Sequence, residues 1–167
     1  STDGKSIEPM QAHGIQAMSI GFLVDVDTPM VWRGPMVTGA LEQLLRDTRW
    51  KEVDYLIVDL PPGTGDIAIS LGQLIPASEI LVVTTPQIAA AEVAERTGRI
   101  AHQMKQPVIG VIENMSDFAC PHCGENISLF GTGGGEETTK RMSQLVGIDV
   151  PLLGKIPFAP ALRDGGD

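Results

Sequence analysis

Two cysteines three positions apart, Cys120 and Cys123 in Cys120-Pro121-His122-Cys123-Gly124, are the most reactive pair in the sequence. A thiolate is both a nucleophile and a soft metal ligand. Thiol–disulfide exchange would need the first cysteine to open a helix that lowers its pKa. Gly124 and Asn126 follow at once and suit a knuckle-like turn instead, so metal binding is preferred. Zinc or an iron–sulfur cluster takes four ligands, and this chain supplies two cysteines. His122 and His102 could complete a zinc site, although no spacing demands it. Two chains meeting across a two-fold axis would present four thiolates, the complement of one [4Fe–4S] cluster. The plainest alternative is a pair of inert cysteines in a surface loop.

A second constellation is Asp54–Asp66, DYLIVDLPPGTGD. Asp59 directly follows a short apolar run, the place where a strand-end carboxylate holds Mg²⁺ directly or through water. Gly63 and its neighbour Gly65 allow backbone N–H groups to approach a phosphate closely, and Asp66 stands where a helix N-cap would. Asn114, after another apolar run, offers the donor and acceptor that a purine edge requires; a turn-forming Asn is the bland alternative. Pro157 and Phe158 could cover a base or merely turn the chain. Gly131–Gly135 resembles a phosphate loop but lacks the Gly-Lys-Ser/Thr ending, and Glu136 and Glu137 would repel phosphate. It reads as a flexible joint.

Holding these residues in place requires strands alternating with helices. Apolar runs predict strands at 15–24, 55–58, 80–85, 108–112 and 152–156; the run at 55–58 is of the kind buried on both faces, and that at 108–112 is expected to be a buried strand. Helical periodicity appears in 36–50, 67–74, 88–104 and 136–146. The excursion 116–135 carries the cysteines. This alternation predicts an α/β fold with a mainly parallel sheet, in which ligands bind at the carboxyl ends of the strands.

The chain has 167 residues, 43% hydrophobic, which suits one domain with a core. Twelve Lys and Arg against 21 Asp and Glu give a net charge of −9. That balance opposes nucleic-acid binding. No apolar stretch has the length of a membrane span, and STDGKSIEPM is unlike a signal peptide. Two cysteines in one motif do not make a secreted disulfide scaffold, so a cytoplasmic location is expected.

Taken together, SIGFLVD, MVWRGPM, DYLIVDLPPGTGD, VVTTPQ, GVIENMS, CPHCG and FGTGGGE resemble the Mrp/ApbC family of P-loop iron–sulfur cluster carriers, relatives of the MinD/ParA ATPases. The resemblance runs from about Ile15 onward, in matching order and spacing. It implies a MinD-like P-loop NTPase fold, a homodimer, and a labile [4Fe–4S] cluster between paired Cys120 and Cys123, passed to apo iron–sulfur proteins. It also implies that ATP, with Mg²⁺, is coupled to cluster handling. Asp59 would be the Walker B carboxylate, 62–66 the switch-like turn, and Asn114 with the Pro157 region the adenine pocket. Met30–Met36 has no assigned chemistry. The family's Gly-Lys-Gly-Gly-Val-Gly-Lys-Ser/Thr loop and its switch I are expected before Ser1, and its final helix beyond Pro160. On this reading the chain is a partial NTPase domain that binds ATP poorly by itself. Rival readings are a zinc-stapled interaction module and a MinD/ParA-like positioning ATPase; the latter needs no Cys-x-x-Cys.

Overall fold

A computed structural model describes residues 6–22, 34–60 and 65–165, in two units, Ser1–Leu74 and Ile75–Asp167. In the first unit, Met10–Ala12 (β1) and Ile15–Ala17 (β2) pair antiparallel. Their turn residues His13 and Gly14 both have positive φ, 52° and 76°, a combination that matches the twist of a two-residue hairpin. The strand expected over 15–24 stops at Ala17. Ser19 then diverts the backbone: its Oγ accepts the Gly21 N–H at 3.2 Å and its carbonyl the Phe22 N–H at 3.0 Å, closing a 3-10 turn at Ile20–Phe22.

Helices Gly34–Arg46 (α1) and Gly65–Leu74 (α2) pack on one another, with Leu41, Ile67 and Leu71 buried and a 3.2 Å hydrogen bond between the Thr38 and Ser70 hydroxyls. The strand expected at 55–58 is not formed. Tyr55–Leu60 joins no ladder, and Tyr55 and Ile57 are 89% and 90% exposed. An apolar run becomes a doubly buried strand only where ladder partners and covering layers meet it, and no described strand of this unit pairs with it.

The second unit is built from βα repeats. Ile80–Thr84 (β3) leads through the 17-residue helix Ile88–Met104 (α3) to Val108–Asn114 (β4). A hairpin of Phe118–Ala119 (β5) and Asn126–Ile127 (β6) intervenes before helix Gly134–Val146 (α4), strand Leu152–Ile156 (β7) and the short helix Pro160–Asp164 (α5). The order β3-β4-β7 is parallel throughout. Helix α3 ends where Lys105 turns left-handed at φ 56°, its N–H returning to His102; α4 ends at Gly147 with φ 75°.

The core lies between the sheet and the two long helices, where Val82, Ala94, Ala101, Val108, Val111, Met142 and Val150 cluster. Small residues set the helix spacing: a Cβ on Gly98 of α3 would overlap the Met142 sulfur of α4. The strand expected to be buried at 108–112 has Val108, Gly110 and Val111 buried, with Ile109 exposed. Both helices lie over one face, while Leu81, Val83, Ile109 and Leu153 are 42–61% exposed.

The glycine run, expected to be a flexible joint, is packed at its helical end, Gly134 and Gly135, while Gly131 and Thr132 are exposed. Gly133 caps α4 with φ 89°, and Gly134 and Gly135 are buried. A Cβ on Gly134 would lie 2.3 Å from the Thr85 carbonyl oxygen and 2.6 Å from that of Pro86. Backbone cannot swing aside as a side chain can. Helix propensity favours Ala over Gly by about 1 kcal/mol, yet Gly134→Ala is expected to destabilise by about 1–3 kcal/mol through overpacking. Urea unfolding checks it; a stabilised variant would contradict this packing.

Candidate functional site

The cysteines sit on a short hairpin whose geometry is local. Phe118 pairs with Ile127 and Ala119 with Asn126. Beyond the ladder, the Cys120 N–H donates to the Glu125 carbonyl at 2.9 Å and the Gly124 N–H to the Cys120 carbonyl at 2.8 Å. Gly124, with φ 73°, makes the reversal possible. The backbone N–H of Cys123, that of His122 and the Cys123 thiol all point at the Cys120 sulfur and hold its pKa below the ordinary thiol value. N–H groups directed at sulfur favour the thiolate, the form that ligates metal.

Both cysteines are free; Cys123 is exposed and Cys120 partly so. Among the described residues, no group of three His, Cys, Asp or Glu could hold a metal ion. The zinc set that His122 and His102 were expected to complete is therefore not assembled there. The turn presents two free thiols, one exposed and one half-buried.

The hairpin is anchored to the carboxyl end of the sheet. Phe158 contacts Phe118 and Phe130 edge-on, with ring centroids 6.1 and 6.5 Å apart, an arrangement aromatic quadrupoles favour. The Phe158 N–H donates to the Asp117 carbonyl at 2.7 Å and the Ser116 N–H to the Ile156 carbonyl at 3.0 Å; the Ser128 hydroxyl reaches Asp117 at 3.1 Å. Phe158, expected at a base, thus packs beneath the cysteine hairpin. Asn114 pairs with Ile156 in the ladder, so Asn114 and Pro157 stand at adjacent carboxyl ends. The Asn114 Oδ1 accepts the N–H of Met115 at 2.9 Å, and Met115 has φ 58°.

Asp59 is exposed, at the end of the unpaired segment Tyr55–Leu60 of the first unit. Gly63 lies outside the described residues. Asp66 falls in the first turn of α2, and its side chain is likewise outside them. Met30–Arg33 are outside as well, and Gly34–Met36 open α1.

Sequence reasoning passed over Glu113 and Lys155. Glu113 is 1% exposed. Its Oε2 accepts the Gly135 N–H at 2.7 Å, and Lys155 Nζ lies 3.4 Å from its Oε1 and 2.8 Å from Glu136 Oε1. The hydrogen bond to Glu136 is the main reason the Lys155 pKa is raised and that of Glu136 lowered. A charge ending the apolar run VIGVI, with a lysine in the otherwise apolar LLGKI, was the available signal. The same carboxylate takes the position at the start of α4 that an anion would hold.

The thiolate geometry has a pH consequence. Alkylation of Cys120 by iodoacetamide, followed by peptide mass spectrometry, is expected to have its pH midpoint below the ordinary thiol value of about 8.5. A midpoint at or above that value would contradict the N–H···S arrangement.

Comparison with known proteins places this geometry in a family. The family model of ParA, described as NUBPL iron-transfer P-loop NTPase, matches residues 1–167. The chain is 55% identical over 161 residues to an iron–sulfur cluster carrier protein of Mycobacterium leprae, covering 96% of this chain and 42% of that protein. It is 44% identical over 165 residues to one of Pseudomonas fragi (99% and 55%) and 42% identical over 167 residues to one of Escherichia coli K12 (100% and 44%). It thus spans about half the length of the curated relatives it matches. Among solved structures, a nucleotide-binding protein of Archaeoglobus fulgidus in complex with ADP matches with a TM-score of 0.72 at 34% identity, over 98% of this chain and 61% of that one. The α/β fold, the parallel sheet and the sequence agree: the chain belongs to the ParA family of NUBPL iron-transfer P-loop NTPases.

Proposed function

We propose that the protein carries an iron–sulfur cluster and delivers it to apo iron–sulfur proteins, with Cys120 and Cys123 as the cargo ligands. The observation that carries this reading is the outward-facing knuckle, whose backbone N–H groups favour the Cys120 thiolate and which finds no third protein ligand among the described residues. A two-thiolate site is half of the four-cysteine set of a [4Fe–4S] cluster, so a second copy supplies the other half and the cluster bridges a homodimer. Exposed sulfurs suit a cargo that must leave. Free thiols suit a reducing compartment, the cytoplasm. No helix among the described residues is long and apolar enough to cross a membrane.

Nucleotide handling belongs to the same reading. Asn114 and Pro157, at neighbouring strand ends, fit one wall of a base pocket, the Asn carboxamide meeting the purine edge. Phe158 joins that wall to the cysteine hairpin through its two ring contacts. In the first unit, Asp59 would hold Mg²⁺, with Gly63 and Asp66 in the turn that follows the γ-phosphate. Bound ATP would supply the energy of a phosphoanhydride; the residues of this chain contribute the base wall, the metal carboxylate and the turn.

Anaerobic reconstitution with iron and sulfide tests the proposal. Uptake of about four irons per two chains is expected, with visible cluster absorbance. Cys120→Ser and Cys123→Ser should each abolish both. Tight binding of zinc with no cluster uptake would establish the zinc-stapled module instead.

A further inference from the structure

The excursion that presents the thiols leaves the sheet after Glu113 and returns at α4, and a single carboxylate fastens its two ends. The hydrogen bond from Gly135 to Glu113 joins residues 22 apart in sequence. Glu113 also pairs directly with Lys155 in the β4–β7 ladder, and Lys155 bridges on to Glu136 in the first turn of α4. Three elements therefore meet at one buried group. The fit is close: a Cβ on Gly135 would lie 2.9 Å from Glu113 Oε2 and 3.0 Å from its Cβ, so glycine is what lets the helix terminus approach. Two connections from the sheet toward the cysteine hairpin begin beside this contact. Asn114 follows Glu113 directly, and Ile156, whose carbonyl receives the Ser116 N–H, follows Lys155.

We propose that Glu113 is the positioning residue of the cysteine hairpin: its carboxylate closes the neck of the excursion and, through Lys155, fixes the direction in which Cys120 and Cys123 face. The hairpin has its own two-pair ladder, Phe118 with Ile127 and Ala119 with Asn126. What Glu113 controls is the joint on which that hairpin is carried. The consequence for cargo depends on the carrier reading, whereas the joint does not.

Native-state hydrogen exchange on the full chain tests the joint. In Glu113→Gln, a neutral acceptor replaces a charge-assisted one, and exchange at the neck amides of Ser116, Gly135 and Phe158 should rise about fivefold. Exchange at Val111 and in α3 should stay unchanged, and the hairpin amides of Cys120 and Gly124 should move less than the neck. Glu113→Asp, which keeps the charge on a shorter arm, should restore part of the protection. A neck that exchanges at the wild-type rate in Glu113→Gln, or a uniform rise across the whole sheet, would overturn the proposal. The uniform rise would show Glu113 to be only a general stabiliser.

A second measurement reads the cargo. With reconstituted protein, loss of cluster to a ferrous chelator should be about fivefold faster in Glu113→Gln, matching the rise in neck exchange. Faster neck exchange with an unchanged release rate would refute control of the thiols' direction. Wild-type protein that takes up no cluster would instead refute the carrier reading, leaving exchange to decide the joint.

Discussion

A carboxylate taken out of water keeps its charge only where donors and an opposite charge replace the solvent it lost. The second unit meets that demand at the carboxyl end of β4. Around Glu113 stand the Gly135 N–H, the positive end of α4 and the Lys155 ammonium. The requirement propagates outward. Helix α4 must begin with residues that have no side chains, because Gly134 rests on the Thr85 and Pro86 backbone and Gly135 on Glu113 itself. Strand β7 must align so that Lys155 faces Glu113. The 116–133 excursion must return to within hydrogen-bonding distance of the strand it left. The alignment of helix, sheet and cysteine loop all follow from satisfying one charge.

The two kinds of chemistry proposed for the chain would share this end of the sheet. The carboxyl ends of parallel strands are where α/β proteins bind ligands, and here they carry both Asn114 with Pro157 and the base of the cysteine hairpin. Phe158 adjoins both: it follows Pro157, its N–H is held by Asp117, and its ring contacts Phe118 and Phe130. Contacts of this sort are the physical medium through which two sites can influence one another.

Some of this was written plainly in the sequence. The bounds of α3 and β7 match the expected ranges residue for residue, because a long 3.6-residue periodicity ending near Lys105, and a short apolar run before Pro157, are local signals. The turn at Gly124 was legible for the same reason. Properties that depend on partners were not. Tyr55–Val58 has the composition of a buried strand, and composition says that a segment can be covered without saying what covers it. The glycine run looked loose because small residues suit both mobility and close packing; only the position of the Pro86 carbonyl separates the two. Glu113 gave a weak signal, a charge where an apolar residue was due, and its meaning depended on a lysine 42 positions later in the chain.

The thiol pair differs from everything around it in the range of its contacts. Phe118 and Ile127 are nine residues apart, and every ladder and turn bond of the hairpin lies between them. The entropy of closing so short a loop is small and does not depend on the rest of the sheet. In a chain emerging from the ribosome, every residue of the cysteine turn is made before α4 and β7, and Phe158, which packs on Phe118 and Phe130, is made after both. The order of synthesis thus puts the thiol-bearing turn first and the residues that fasten it to the sheet second.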